Sequence, residues 1–345
     1  MRYLSRENYF VWLKGLTPDY EVFVPVKKGQ QRIFQRYHPS VDRAADQVVI
    51  GEARTTEPLK GFFTPAREKV AELFNPEIPP SEHKPFAIVG VKACDLQGFL
   101  IQDEVFLKRG NRDPFYARAR EENLIISSDC TLALETCFCL ALGHDPHPKG
   151  NFDINLSEVA GGFIVEVGSP KGRELVDDHE SLFQAVPHTL LEERKEIRER
   201  VIAEVQSRID EHGVPHRDQY QGMINRNHES KLWQEEAGTC VECGACNFIC
   251  PTCHCFVLSD QQTGSGTARF RLWDSCMVKD FARVAGGGNP RPQLWMRLRN
   301  RFEKKLDFFP RVTGLYACTG CGRCIPACPA DIDIRRVLKA LVHNA

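Results

Sequence analysis

The phrase CVECGACNFICP, Cys240 to Pro251, returns almost unchanged as CTGCGRCIPACP, Cys318 to Pro329. Both copies have the spacing C-x2-C-x2-C-x3-C-P. Three thiolates at three-residue intervals let one loop wrap a corner of an iron–sulfur cube. The fourth cysteine of such a run ligates the other cube in two-cluster ferredoxins. The pattern therefore predicts two interleaved quartets. Cys240, Cys243, Cys246 and Cys328 surround one [4Fe–4S] cluster, and Cys318, Cys321, Cys324 and Cys250 surround a second. Pro251 and Pro329 bias the preceding cysteine toward extended backbone, turning the chain away from its first cube. Gly244, Gly320 and Gly322 permit tight turns and expose amides to cluster sulfurs. A pair of zinc ribbons built on C-x2-C would leave four cysteines and both prolines without a role.

The rest of the composition narrows the class. Lys plus Arg (45) nearly cancels Asp plus Glu (46), so gross charge does not drive the chain to nucleic acid or an anionic membrane. The start, MRYLSRENYFVWLKGL, is charged throughout and reads as no secretory signal. No run of about 18 apolar residues suggests a membrane span. An odd total of 15 cysteines, bunched at short spacing, is a metal framework rather than a disulfide framework, and a reducing cytoplasmic setting is expected.

Along the chain, ENYFVWLKGL reads as a helix, YEVFVPV and QRIFQRY as strands, and TPAREKVAELF as a helix. After the Pro-rich NPEIPPSEHKP, FAIVGV is a strand leading into a helix with Asp95 as its expected N-cap. NLIISSD and GGFIVEVGS are further strands, so residues 1–180 read as an α/β domain. Ile197, Val201, Val205 and Ile209, with Glu196/Arg200 and Glu204/Arg208 at i,i+4 spacing, mark a long amphipathic helix in a linker over 181–228. Residues 229–345 read as a mostly α-helical dicluster domain of ferredoxin type. The basic segment RPQLWMRLRNRFEKKLDFFPR is expected to dock an acidic redox partner, or to offset the negative charge of the clusters, or to be an amphipathic helix with a solvated basic face.

Seven cysteines lie outside the two runs. Cys94 and Cys130 end predicted strands, and Cys137 and Cys139 follow in CFC. Strand ends of an α/β sheet converge on one edge, so these four are candidate ligands of a third cluster, against the alternative of buried free thiols. Cys253, Cys255 and Cys276 are one short of a cube and are expected to pack around the clusters and tune them. The alternative is a catalytic thiol/disulfide reductase of heterodisulfide type that uses them. TGSGTARF lacks the rest of a dinucleotide fingerprint, and AGGGNP reads as a helix stop and turn. No P-loop, nucleophile elbow or HExxH occurs. No catalytic residue is assigned, and electrons must enter and leave through partners.

The segments GVKACDLQGF, DPFYARAREENLI, ETCFC, FIVEVGS, CPTCHCF, WDSCM, AGGGNPRP and CTGCGRCIPACPADIDI together resemble one family from about residue 85 onward. It contains the iron–sulfur beta subunit of cytoplasmic NiFe hydrogenase/sulfur reductase (sulfhydrogenase) and its counterpart in anaerobic sulfite reductase. Gly288 and the Glu303-Lys304 pair depart from its pattern, where histidine is common. The spacer between the runs also resembles the α-helical ferredoxins of respiratory iron–sulfur subunits. The resemblance implies an electron-transfer subunit of an anaerobic hetero-oligomeric complex. It implies a flavin- and NAD(P)-binding reductase subunit, or ferredoxin, on one side and a catalytic metal subunit of hydrogenase, sulfur or sulfite reductase type on the other. Iron analysis separates the cluster counts: a third centre gives about twelve irons per chain, and its absence about eight.

Overall fold

The computed structural model describes the chain except residues 40–46, 74, 76, 78–83, 109, 111, 265, 344 and 345. Much of the Pro-rich stretch before Phe86 therefore lies outside the described residues. The strands are β1 (Arg2–Ser5), β2 (Glu21–Lys28), β3 (Gln31–Arg36), β4 (Arg67–Glu72), β5 (Phe86–Val91), β6 (Leu124–Ser128), β7 (Ile154–Val159), β8 (Gly162–Val167), β9 (Phe183–Gln184), β10 (Phe256–Thr263) and β11 (Gly266–Trp273). Among the described residues, one mixed sheet runs β3-β2-β5-β6-β7-β8-β1-β9, and a second runs β10-β11-β4.

The large sheet is parallel at its centre, where β2, β5, β6 and β7 lie side by side. Central parallel strands are covered on both faces, and β5 divides its side chains accordingly. Ala87 and Val89 pack with Trp12, Leu13 and Leu16 of helix α1 (Arg6–Leu16). Ile88 and Val91 pack with Leu96, Phe99 and Phe106 of helix α2 (Ala93–Phe106). Because β5 and β6 are parallel, their carboxyl ends share one edge, and Cys94 and Cys130 leave the sheet there together.

Helix α2 begins two residues before its expected cap. Lys92 is the N-cap, and Asp95 sits in the first turn, where a carboxylate meets the positive end of the helix dipole. Asp95 accepts the Leu59 amide at 3.3 Å and pairs with Arg323 Nη2 at 2.7 Å. Both side chains of that pair are at most 2% exposed.

Three elements differ from expectation. The segment around Arg67–Glu72 is β4 rather than a helix, because it pairs antiparallel with β11. The C-terminal region, expected to be mostly helical, contains the β10–β11 hairpin, paired from Phe256↔Trp273 to Thr263↔Gly266. Thr263 of TGSGTARF ends β10, and its Gly266 to Phe270 belong to β11. The long amphipathic helix is present as α3 (His188–His212), with Val201, Val205 and Ile209 buried. Arg200 pairs forward with Glu204 at 3.8 Å, and Arg208 pairs with Glu135 and Glu211 rather than with Glu204.

The two halves of the chain are stitched together by buried contacts. Phe138, Ala141 and Leu142 share a core with Val205, Trp233, Leu298, Phe302 and Leu338. A Cβ on Gly322 would lie 1.9 Å from Thr136 O, and one on Gly320 would lie 2.5 Å from Cys139 Cα. Both glycines also have positive φ (69° and 64°), so only glycine permits this approach. Removing one partner of a buried ion pair leaves the other charge stranded, at a cost of about 3–5 kcal/mol. Asp95→Ala is therefore expected to lower the stability read from urea unfolding by that amount, whereas breaking a solvent-screened surface pair such as Arg269–Asp260 leaves it nearly unchanged.

Candidate metal centres

The structure gathers cysteines distant in sequence into neighbouring groups. Cys240, Cys243, Cys246 and Cys328 line one small cavity of about 30 Å³, and Cys324 of the second run reaches its wall. Cys94, Cys130, Cys137 and Cys139 line another of about 30 Å³, and Cys321 reaches that wall. Cys250 and Cys318 line neither of these cavities, and charge on Cys250 is felt by both Cys318 and Cys324. The second run thus stands between the two cavities, with Cys321 facing one and Cys324 the other.

Local sequence explains these placements. Gly244, with φ 72°, precedes the single turn Ala245–Phe248 that raises Cys246. Glycine at φ 64° and 69° bends the second run around Cys321. The Phe138 amide donates to Gly320 O at 2.9 Å, so the CFC turn and the second run are fastened backbone to backbone. Arg54 adds to the joint, donating to Cys321 O and, at 3.0 Å, to Thr136 Oγ1.

The surroundings suit negatively charged, thiolate-bound centres. Arg54, Lys60, Lys92, Arg301, Lys305 and Arg323 are each at most 7% exposed. Lys305 Nζ donates to Cys250 Sγ at 3.3 Å and to Thr252 Oγ1 at 2.9 Å. Arg301 Nε donates to Asn247 Oδ1 at 3.1 Å, and Cys246 and Cys324 act on its charge. Lys92 Nζ is held by Ile50 O, Ser128 Oγ and Asp129 O, beside Cys130 and Cys94. Burial pulls the pKa of Lys92 and of Lys60 down. For Lys305 the nearby Cys250 and Cys253 outweigh burial and hold it above its ordinary value.

Sequence reading offered the basic segment that holds Arg301 and Lys305 as a source of charge for the clusters without singling out either residue, and it missed Arg54, Lys60, Lys92 and Arg323. Helix α4 (Leu294–Glu303) and the π turn after it, Lys304–Phe308, carry Arg297, Arg301 and Lys305 at four-residue spacing, all buried. This face is turned inward toward the cysteine loops, which fits the expectation that the segment offsets cluster charge rather than docking a partner or facing solvent. The only signal available was the i,i+4,i+8 spacing itself.

Spread of the sulfurs also bears on metal type. Four thiolates around one zinc at about 2.3 Å stand roughly 3.8 Å apart. Among the described residues, no three cysteine ligand atoms fall within 4.8 Å of one another. Sulfurs ringed about a cavity fit a cube, in which each thiolate takes its own iron, better than a single ion.

Cys253, Cys255 and Cys276 line a different and larger cavity of about 380 Å³. The Cys253 amide donates to Cys250 O at 3.4 Å, and the Asp274 amide donates to Cys255 O at 2.9 Å, which brings the Cys276 loop beside Cys255. Asn247, 1% exposed, sits at their centre. Its amide donates to Cys276 Sγ at 3.1 Å and Ser275 Oγ at 3.0 Å, and its oxygen accepts from Cys253 at 3.6 Å.

Burial pushes the Cys318 thiol up to about 12, and the Cys324 and Cys130 thiols up to about 11, against the pull of Lys305, Arg301 and Lys92 respectively. Without metal these groups are neutral near pH 7. Metal ligation requires thiolates and so expels protons. Loading with iron and sulfide is therefore expected to release protons and to give a higher yield at about pH 8.5 than at about pH 6.5. Visible absorbance reads this, and a yield falling with rising pH would contradict it.

Residues 239–332 match the family described as a 4Fe-4S dicluster domain. The chain is 32% identical over 342 residues to sulfhydrogenase 2 subunit beta of Pyrococcus furiosus, an alignment covering 98% of each chain. Over 181 residues it is 22% identical to F420-dependent formate dehydrogenase subunit beta of Methanocaldococcus jannaschii, covering 52% of this chain and 39% of that one. Among the described residues no helix is long and apolar enough to cross a membrane.

Proposed function

The chain belongs to the family of the sulfhydrogenase beta subunit, and from that premise we propose that it relays single electrons through three [4Fe–4S] clusters inside an anaerobic oxidoreductase complex. One cluster is held by Cys240, Cys243, Cys246 and Cys328, and the second by Cys318, Cys321, Cys324 and Cys250. The third is held by Cys94, Cys130, Cys137 and Cys139. Such clusters, when bound, supply one-electron transfer over a wide range of potentials. Its partners are a flavin- and NAD(P)-binding subunit or ferredoxin on one side and a catalytic metal subunit on the other. The names of the two relatives, beta subunits of a sulfhydrogenase and of a formate dehydrogenase, support a place in a hetero-oligomer.

The observation that carries this reading is the interleaving of the two runs. Cys328 shares a cavity with Cys240, Cys243 and Cys246, although nearly the whole C-terminal region separates them. Cys321 and Cys324 face opposite cavities, which supports a linear order with the second run in the middle. The chain's own residues fix the sulfurs, exclude water and supply compensating positive charge through Arg54, Arg301, Lys305 and Lys92.

Paired substitutions test the assignment in the anaerobically isolated chain. Cys328→Ser is expected to perturb the paramagnetic signal that Cys240→Ser perturbs, and Cys250→Ser the one that Cys318→Ser perturbs. If Cys328→Ser grouped with Cys318→Ser instead, each run would hold its own centre and the interleaved reading would fail. Lys305→Met removes a buried charge beside Cys250. At an effective dielectric of about 20 this lowers the potential of the middle centre by on the order of 100 mV. Redox titration reads the shift, and an unchanged or raised potential would contradict the role given to Lys305.

A further inference from the structure

The largest thiol-lined cavity is not one of the cluster cavities. At about 380 Å³ it exceeds each of them, about 30 Å³, by roughly an order of magnitude, and it has the size of a small-molecule site. Cys255 and Cys276 both line it, brought together by the Asp274 amide, which donates to Cys255 O at 2.9 Å, and Arg301, Lys304 and Lys305 line it with them. Its mouth is apolar: Phe308 and Val312 are 38% and 62% exposed there. Glu104 is the one acid on the wall, and it is paired with Lys108.

A hydrogen-bonded path joins this lining to the middle cysteine group. Cys276 accepts from Asn247, Asn247 accepts from the Cys253 thiol, and the Cys253 amide donates to Cys250 O at 3.4 Å. A cationic lining, an apolar mouth and two neighbouring thiols are the features of a site that admits an anion and exchanges sulfur with it.

We propose that Cys255 and Cys276 form a redox-active dithiol that reduces a low-molecular-weight disulfide bearing anionic groups, bound in this cavity. The inference rests on the relay reading, which supplies the electrons. The Cys276 thiolate attacks one sulfur of RSSR, forming Cys276–S–S–R and releasing RS⁻. The Cys255 thiol then attacks the Cys276 sulfur, and its proton leaves with the second RSH. The resulting Cys255–Cys276 disulfide returns to the dithiol on accepting two electrons, one at a time, from the reduced iron–sulfur relay, and two protons. The sum is RSSR + 2e⁻ + 2H⁺ → 2RSH.

The test uses the full chain with its clusters, reduced methyl viologen as donor, and two small disulfides of opposite charge, dithiodiglycolate and cystamine. The dianion is expected to oxidise the viologen at least ten-fold faster than the dication. Cys255→Ser is expected to leave Cys276 joined to half of the dianionic probe, visible by peptide mass, and to lower turnover at least twenty-fold with iron content unchanged. Cys276→Ser is expected to abolish both the adduct and turnover. The inference is overturned if neither disulfide is turned over by a chain with intact cluster signals, if cystamine is preferred, or if either substitution removes iron. Absence of cluster signals in the unsubstituted chain would instead defeat the relay reading, and the peptide adduct would still report on the dithiol.

Discussion

Everything in this structure depends on burying positive charge beside sulfur. Six lysines and arginines with at most 7% exposure surround the cysteine groups. An unpaired buried cation is among the most costly features a fold can carry. Lys92 is surrounded by neutral oxygen acceptors, and the carboxylate of neighbouring Asp129 acts only at longer range. Its fitting counter-charge is thiolate: Cys130 and Cys94 lie beside it. The thiols in turn are pushed toward neutrality by burial. Each side therefore supplies what the other lacks only when metal converts the thiols to thiolates, which couples cluster binding to the stability of the fold.

The same coupling explains the order of the parts. A parallel sheet delivers Cys94 and Cys130 to one edge because β5 and β6 run the same way. The CFC turn completes that group and is fastened to the second cysteine run through Gly320, Gly322 and Arg54, while the buried Arg323–Asp95 pair ties that run to helix α2. The second run reaches on to the first through Cys324. Chain connectivity, backbone hydrogen bonds and ion pairs all hold neighbouring groups close, and short separations are what an electron relay requires.

The cysteine runs were legible because their spacing is local and each thiol's partner class is set by chemistry. The grouping of Cys94, Cys130, Cys137 and Cys139 followed from strand-end logic, which needs only the strand pattern. Two kinds of information were not legible. Arg297, Arg301 and Lys305 occupy one face of a helix, but nothing in a basic sequence says whether that face meets water or sulfur. The strand Arg67–Glu72 carries helical periodicity, and its conformation is decided by β11, about two hundred residues away. The cavity around Cys255 and Cys276 likewise arises from elements joined only in the fold: the hairpin, the π turn and helix α2.

The measurement that bears most directly on the central claim is low-temperature electron paramagnetic resonance of the anaerobically reduced chain, taken at increasing degrees of reduction. In the proposed arrangement, two cubes that trade ligands between runs, with a third beside them, stand close enough for their spins to interact. The account predicts simple signals at partial reduction that broaden and split as neighbouring centres fill. Signals that remain an additive sum of isolated centres at full reduction would contradict it.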